Sequence, residues 1–355
     1  MKRDFAVGLL TGLALALSAV RLPARVLEPQ QQFGGGQART ANLVFDYPSG
    51  EEARVEVVLL HAEAIYERVD SLMDGALPSP VHVTLVSTGL SGSTSEGIVL
   101  SLQQGRHVEP FLARALVNLA GREIVGDVYE LEGYRFFVEG LAAWVGEPYE
   151  HGLGSLEPRW LRAAYAYMEE ATYLEYLEVY SRASEELGKN VVNAVGYTFV
   201  AHLIEHHGWA GVTSLLQAMT GNSEICGALD DAGFDCFALW ASWQLALEAE
   251  SARHDFTLLP EILADLEMGG EGETREVSLR VFIRNPETDD YLFFVAYEID
   301  GERVEESFPA DSGDFEARVP LGAIPVGTKV LWEVAVWSRT VQAWRRNGWQ
   351  DGTIR

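Results

Sequence analysis

Two stretches of this sequence carry residues whose types and spacing could do chemistry. The first is His202-Leu203-Ile204-Glu205-His206. Histidines four apart share one face of a helix, so both imidazoles can reach a single zinc ion. Glu205 beside the second histidine could then serve as general base toward a metal-bound water, the H-x-x-E-H order of inverted zinc hydrolases. The same residues have a plainer reading. They close a helix that Gly208 can cap, and histidines near a helix C-terminus are favoured by the dipole. No cofactor is expected, and zinc enters only under the alternative in which His202, Glu205 and His206 act as unconventional ligands.

The second stretch, Phe111–Glu147, reads as two helices joined by a polar connector. Glu109-Pro110 opens the first, a position that suits proline. The second, Tyr134–Val145, holds Glu139 within Glu-Gly-Leu-Ala-Ala-Trp. Arg114, Ala115 and Asn118 lie at i, i+1 and i+4 on the first helix. One carboxylate cannot hold a catalytic zinc, which usually takes three protein ligands. Other nucleophilic and phosphate motifs are missing: there is no Gly-x-Ser-x-Gly, and the Gly89–Ser95 loop has no P-loop lysine. His61 and His82 have no partner at ligand spacing.

The elements that would position these residues follow from periodicity. Ala41–Tyr47, Val81–Ser87 and Ile98–Leu102 read as strands, and Glu51–Met73 as a long helix with apolar residues at helical spacing. Further helices are expected at Trp160–Leu187, which carries a tyrosine stripe (Tyr165, Tyr173, Tyr176, Tyr180), and at Ala194–His207, Trp209–Met219 and Phe237–Ala252. Cys226 and Cys236 flank a loop. Ten residues apart in an exported chain, they suggest a disulfide, with two buried thiols as the alternative. After Gly269-Gly270 come short alternating runs: Val277–Ile283, Tyr291–Ile299, Arg303–Phe308, Phe315–Val319 and Lys329–Trp337. With Asp300-Gly301 as a hairpin turn, they indicate a β-sandwich. Trp344, Arg345, Arg346 and Trp349 form a basic-aromatic patch, read either as an edge strand or as a contact for a partner.

Composition bounds the rest. The chain has 355 residues and a formal net charge of −27. That acidity excludes nucleic acid as a partner. Lys2 and Arg3 precede an uncharged run from Phe5 to Val20. It is short of the roughly 20 residues that span a bilayer and fits an export signal or N-terminal anchor. The expected layout is a signal or anchor at 1–25, a linker at 26–40, a mixed domain at 41–252, a linker at 253–273 and a β-sandwich at 274–355. The only membrane contact expected is through the N-terminal segment, with the rest exported to the periplasm or beyond.

In order and spacing, Ala41–Trp243 resembles the peptidase-MA-like group of gluzincins, relatives of thermolysin and the M1 aminopeptidases. The resemblance rests on LPSPVHVTLV, the edge strand GIVLSL, the helix of FVEGLAAWVG, and VGYTFVAHLIEHHGW. It covers a little over half of the chain. It implies an α+β fold, with a small N-terminal sheet and a helical subdomain ahead of the sandwich. It places Arg114, Ala115 and Asn118 where the family has the first histidine, the glutamate and the second histidine of His-Glu-x-x-His. Glu139 falls at the third-ligand position and Tyr197 at an oxyanion-stabilising tyrosine. The expectation is a catalytically inactive, peptidase-like binding or scaffolding protein with a protein or peptide partner. In it, Arg114 would sit in the metal position, pairing with Glu139 and Asn118. The alternatives are an active zinc metallopeptidase through His202 and His206, and an envelope-assembly component acting through its sandwich.

Overall fold

The computed structural model describes residues 35–355 except 88–90, 95–96, 103–107, 150–155, 169–171, 173–176, 255–258, 286–288, 340 and 342. The expected export segment therefore lies outside the described residues, as do Tyr173 and Tyr176.

The N-terminal sheet has the order β1-β2-β3-β5-β4, from Gly35–Arg39, Leu43–Pro48, Val81–Val86, Gly92–Thr94 and Gly97–Ser101. β2, β3 and β5 run parallel, with an antiparallel strand at each edge. The parallel step from β2 to β3 is made by helix α1, Glu52–Leu72. Its Val55, Val58, Ala62, Ile65, Tyr66 and Val69 recur at helical spacing and are buried. In β3, Val81, Val83 and Leu85 alternate inward, the period-2 pattern of a strand with one covered face. β1 occupies residues 35–39 of the stretch expected as linker 26–40. Glycines at 35 and 36 let it pair closely with β2, because a side chain at either would strike Tyr47.

The helical layer begins with α2 (Glu109–Val125) and α3 (Glu132–Gly146), joined by a 3₁₀ turn at Gly126–Glu130. Then come α4 (Leu156–Met168), α5 (Tyr180–Leu187), α6 (Lys189–Met219), α7 (Ile225–Asp231) and α8 (Cys236–Ser251). Among the described residues, the single helix expected over Trp160–Leu187 is interrupted, by a turn at Thr172 and a break at 178–179. Val179, with φ −106° and ψ 68°, marks the start of α5. Within α6 the backbone at Gly208 leaves the helix at φ 68°, so two helices meet at a kink there, as the sequence indicated. The Cys226–Cys236 segment is not a plain loop: it contains α7, and Cys236 opens α8.

The helices pack on one another and on the sheet around a single apolar cluster. α3 and α6 cross with their backbones touching: a methyl built on Gly140 would fall on the Gly196 carbonyl, and one on Gly196 would fall on Phe136. Glycine at both positions is what lets the helices meet so closely. Beside the crossing, Phe136, Phe199, Trp240 and Trp243 form an edge-and-tilt aromatic stack with centroids 4.8–5.9 Å apart.

The C-terminal region, from Glu261 on, forms two antiparallel sheets over their own core. One has the order β10-β7-β6, from Phe315–Pro325, Thr274–Arg284 and Glu261–Gly269. The other runs β12-β11-β8-β9, from Ala343–Arg346, Lys329–Ser338, Tyr291–Ile299 and Glu302–Ala310, with β13 (Gln350–Thr353) also on β11. Alternate residues of β7, β8 and β11 point into the shared core, among them Leu279, Val281, Phe293, Val295, Val334 and Val336. Asp300 and Gly301 both have positive φ, the geometry of a tight primed hairpin turn. The stretch 253–273, expected as a linker, contains the nine-residue strand β6. Its Ile262, Ala264 and Leu266 alternate as half-covered residues against the sandwich core, opposite exposed Glu261, Leu263 and Asp265.

Candidate functional site

The α2–α3 pair brings the sequence-singled residues into one region but organises them differently from the expectation. α2 starts at a proline with Glu109 in its first turn. Its Arg114 runs its aliphatic stem along α3, where Gly146 leaves it room: a methyl there would come within 3.0 Å of it. The Arg114 guanidinium lies 5.7 Å from the Phe111 ring centroid. Burial, reinforced by the neighbouring Arg159 charge, lowers its pKa to about 10, while Glu139 acts in the opposite sense. It remains a cation at neutral pH.

Glu139 is half-buried on α3. Its Oε1 receives Arg135 Nη2 at 3.1 Å and lies 4.0 Å from Lys189 Nζ. Arg135 reaches on to Glu130 at 2.6 Å, which Arg122 of α2 also engages at 2.6 Å. Arg122 in turn donates to Ser93 Oγ at 3.0 Å. A continuous chain of charges, Arg122–Glu130–Arg135–Glu139–Lys189, thus ties α2, the 3₁₀ turn, α3 and the start of α6. Arg135, one turn before Glu139 on its own helix, holds that carboxylate directly, and the Glu139 charge also acts on Arg114. Asn118 Oδ1 accepts from the buried Tyr129 hydroxyl at 3.2 Å and is not part of the Glu139 contacts. Ala115 is core.

Tyr197, on α6, is also buried. Its hydroxyl donates to Glu147 Oε2 at 3.4 Å, and the Arg159 guanidinium sits 4.5 Å over its ring. Burial, then the Glu147 charge, raises the Tyr197 pKa; burial likewise raises that of Glu147, with Arg159 and Tyr197 opposing. This side of the region is a mixed Arg/Glu/Tyr cluster.

The donor set on α2 and α3 does not fit zinc. At the positions singled out, a guanidinium and an alanine offer no lone pair, the Asn118 oxygen already accepts a hydrogen bond, and the Glu139 carboxylate is held by Arg135 and lies 4.0 Å from Lys189. The residues missed from sequence are Glu130, Arg135, Lys189, Glu147 and Arg159. The i, i+4 spacing of Arg135 and Glu139 was a readable signal.

The H-x-x-E-H segment sits on α6 just before the Gly208 kink. His202 is buried, and Glu205 and His206 are exposed. One potential ligand atom from each of the three lies within 4.8 Å of the others. The His202 and His206 rings are 4.1 Å apart by centroid. Burial, with the neighbouring His206 and His207, lowers the His202 pKa to about 4, so its ring is neutral at physiological pH.

Cys226 and Cys236 form a disulfide with Cα atoms 5.3 Å apart, bonding α7 to the first residue of α8. A disulfide fits a non-cytoplasmic location. Among the described residues, no helix is long and apolar enough to cross a membrane.

The C-terminal patch is partly an internal seam. Trp344 packs edge-on against Phe294 at 4.8 Å and Trp337 at 5.4 Å, and its carbonyl accepts from Tyr165 of α4 at 2.7 Å. Arg345 donates to Pro260 O at 3.3 Å, and Arg346 pairs with Glu333 at 2.8 Å. Trp349 stays 44% exposed, with Arg303 over its ring at 5.2 Å. Trp344, Arg346 and Trp349 border a cleft of about 1130 Å³ between α5 and the sandwich, lined also by Glu185, Glu186 and Phe294.

No protein-family model and no curated protein matches the chain. Among solved structures, an aminopeptidase A from Legionella pneumophila, in complex with aspartic acid, is similar at 10% identity and a TM-score of 0.31. It is covered over 36% of its length by 83% of this chain. A metallopeptidase from Bacteroides thetaiotaomicron is similar at 13% identity and a TM-score of 0.30, with 65% of that chain and 89% of this one covered. The chain thus spans less than two thirds of either. Scores of this size do not assign it to a family.

Proposed function

We propose that this is a non-catalytic, exported binding protein for a polypeptide partner, in which a zinc-peptidase-like helix pair has become a fixed scaffold. The observation that carries this reading is the ion-pair chain through Glu139. The Glu139 carboxylate of this helix pair is engaged by Arg135 and lies beside Lys189, and the facing helix contributes Arg114 and Asn118. Hydrolysis of an amide by a metal requires an electrophilic ion and a bound water, and this pair supplies neither ligand set nor general base.

Recognition falls to the cleft between the helical layer and the sandwich. Aromatic walls with charged rims are the composition of protein-contact sites, and Trp344, Trp349 and Phe294 are set beside Glu305, Glu306 and Arg303. A chain of net charge −27 steers cationic segments toward such a site.

The test pairs turnover with binding on the full exported chain. Incubation with a diverse peptide mixture and zinc should give no new cleavage products by mass spectrometry. Binding to a peptide array should favour basic-aromatic sequences and weaken at least 10-fold in Trp349→Ala. Zinc-dependent cleavage abolished by Glu139→Gln, or by His206→Ala, would overturn the reading in favour of an active metallopeptidase.

A further inference from the structure

Hydrogen bonds fix the chemistry of two histidines that the ion-pair scaffold does not use. Ser242 Oγ on α8 donates its one proton to Leu239 O at 2.8 Å. With that proton on the carbonyl, the 2.8 Å contact between His202 Nε2 and the same Oγ is donated by the ring tautomer that carries its proton on Nε2. In that tautomer the lone pair of the His202 ring lies on Nδ1. His206 Nδ1 lies 2.9 Å from the His202 carbonyl, which can only accept, so Nδ1 carries the proton of His206 and Nε2 carries its lone pair. Each ring is held by one nitrogen and presents the other.

From this geometry we propose that His202, Glu205 and His206 form a binding site for a divalent transition-metal ion of the zinc type, held ready by Ser242. The arrangement has the parts such a site needs. Two borderline-soft imidazoles and one carboxylate suit zinc, copper or nickel better than magnesium or calcium. One donor atom from each lies within 4.8 Å of the rest. Tetrahedral zinc, with bonds of about 2.0–2.1 Å, draws neighbouring donors to roughly 3.3 Å, and the exposed His206 and Glu205 side chains are the ones free to close that gap. The His202–Ser242 bond is the outer-shell contact that orients a ligating histidine, and it comes from a different helix. Three protein ligands leave a fourth position to water. The site is independent of the Glu139 region and of the function proposed above. A bound ion would tie the turn before the Gly208 kink.

Zinc titration into chelator-treated full chain, read by calorimetry, tests the proposal. One equivalent should bind. His206→Ala, at an exposed position, should weaken binding about 100-fold or more. Glu205→Gln should weaken it less. Ser242→Ala, which removes no ligand, should weaken it about 10-fold, within the range of outer-shell effects. Cobalt in place of zinc should give the visible absorption of a tetrahedral nitrogen–oxygen site, lost in His206→Ala. Zinc should also raise the melting temperature of the wild type and not of His206→Ala. Binding well below one equivalent, or binding unchanged in both His206→Ala and Glu205→Gln with their circular dichroism intact, would overturn it.

Discussion

At the scale of single residues, the contrast between Arg114 and Arg135 shows what position alone conveys. Both lie near Glu139. Arg114 feels the Glu139 charge across the helix pair, whereas Arg135 makes its ion pair locally, because i, i+4 on one helix brings the groups together without any tertiary requirement. The Glu139 carboxylate keeps one-fifth of its side-chain surface exposed. Glu139→Gln should therefore cost only about 0.5–1.5 kcal/mol, checked by urea unfolding. His202 gives a pH prediction. Its folded pKa, about 4, lies below its ordinary value, so the fold binds fewer protons than the unfolded chain between those values. Its contribution to stability is complete above about pH 6.5 and is lost as the pH falls toward 4. Between pH 7 and 4.5 the urea midpoint should fall less in His202→Gln than in the wild type. An equal fall would show that the His202 pKa is not depressed.

Elements were legible to different depths. Long amphipathic stretches such as α1 and the inward alternation of β7, β8 and β11 could be read directly, because burial on one face imposes the period. β6 and β1 could not, since their stability comes from pairing with β7 and β2 rather than from a buried stripe of their own. The break between α4 and α5 was hidden by helix-compatible residues on both sides. The ion-pair chain was legible only in its local step, from Arg135 to Glu139. Its link to Arg122 needs the 3₁₀ turn to fold Glu130 back between them. At the α3–α6 crossing, Gly140→Ala should destabilise by about 3 kcal/mol or more, because the added methyl meets backbone that cannot move aside. Thermal melting reads this directly, and a loss below about 1 kcal/mol would mean the helices can separate freely. Cys226→Ala with Cys236→Ala removes a short cross-link. Loop-closure entropy sets its loss at about 3 kcal/mol, to be compared with the wild type under non-reducing conditions.

Over the whole molecule, the boundary between the helical part and the sandwich is less clean than the composition change near Gly269 implies. Val341 and Ala343 follow β11 of the sandwich, yet they are fully buried in the helical core, not the sandwich core. Tyr165, Arg345 and Pro260 bond across the same seam. Val341→Ala should therefore lower the midpoint of the helical transition, followed by far-ultraviolet circular dichroism, by an amount equivalent to about 1–3 kcal/mol. A sandwich signal that falls alone would contradict that coupling. The patch from Trp344 to Trp349 was legible as unusual chemistry in an acidic chain. Its use as a seam was not, because sequence does not say which surface a strand end will meet.

That seam also has a consequence in time. The helical core takes in two side chains that the ribosome adds roughly 90 residues after α8 is complete, a delay of about 5–20 s at ordinary elongation rates. Through that interval the nascent helical layer has a gap where Val341 and Ala343 will sit. Such a chain is loosest while it is being made and closes only when its distal segment arrives. A chain built this way completes its helical core only once its distal segment has been made.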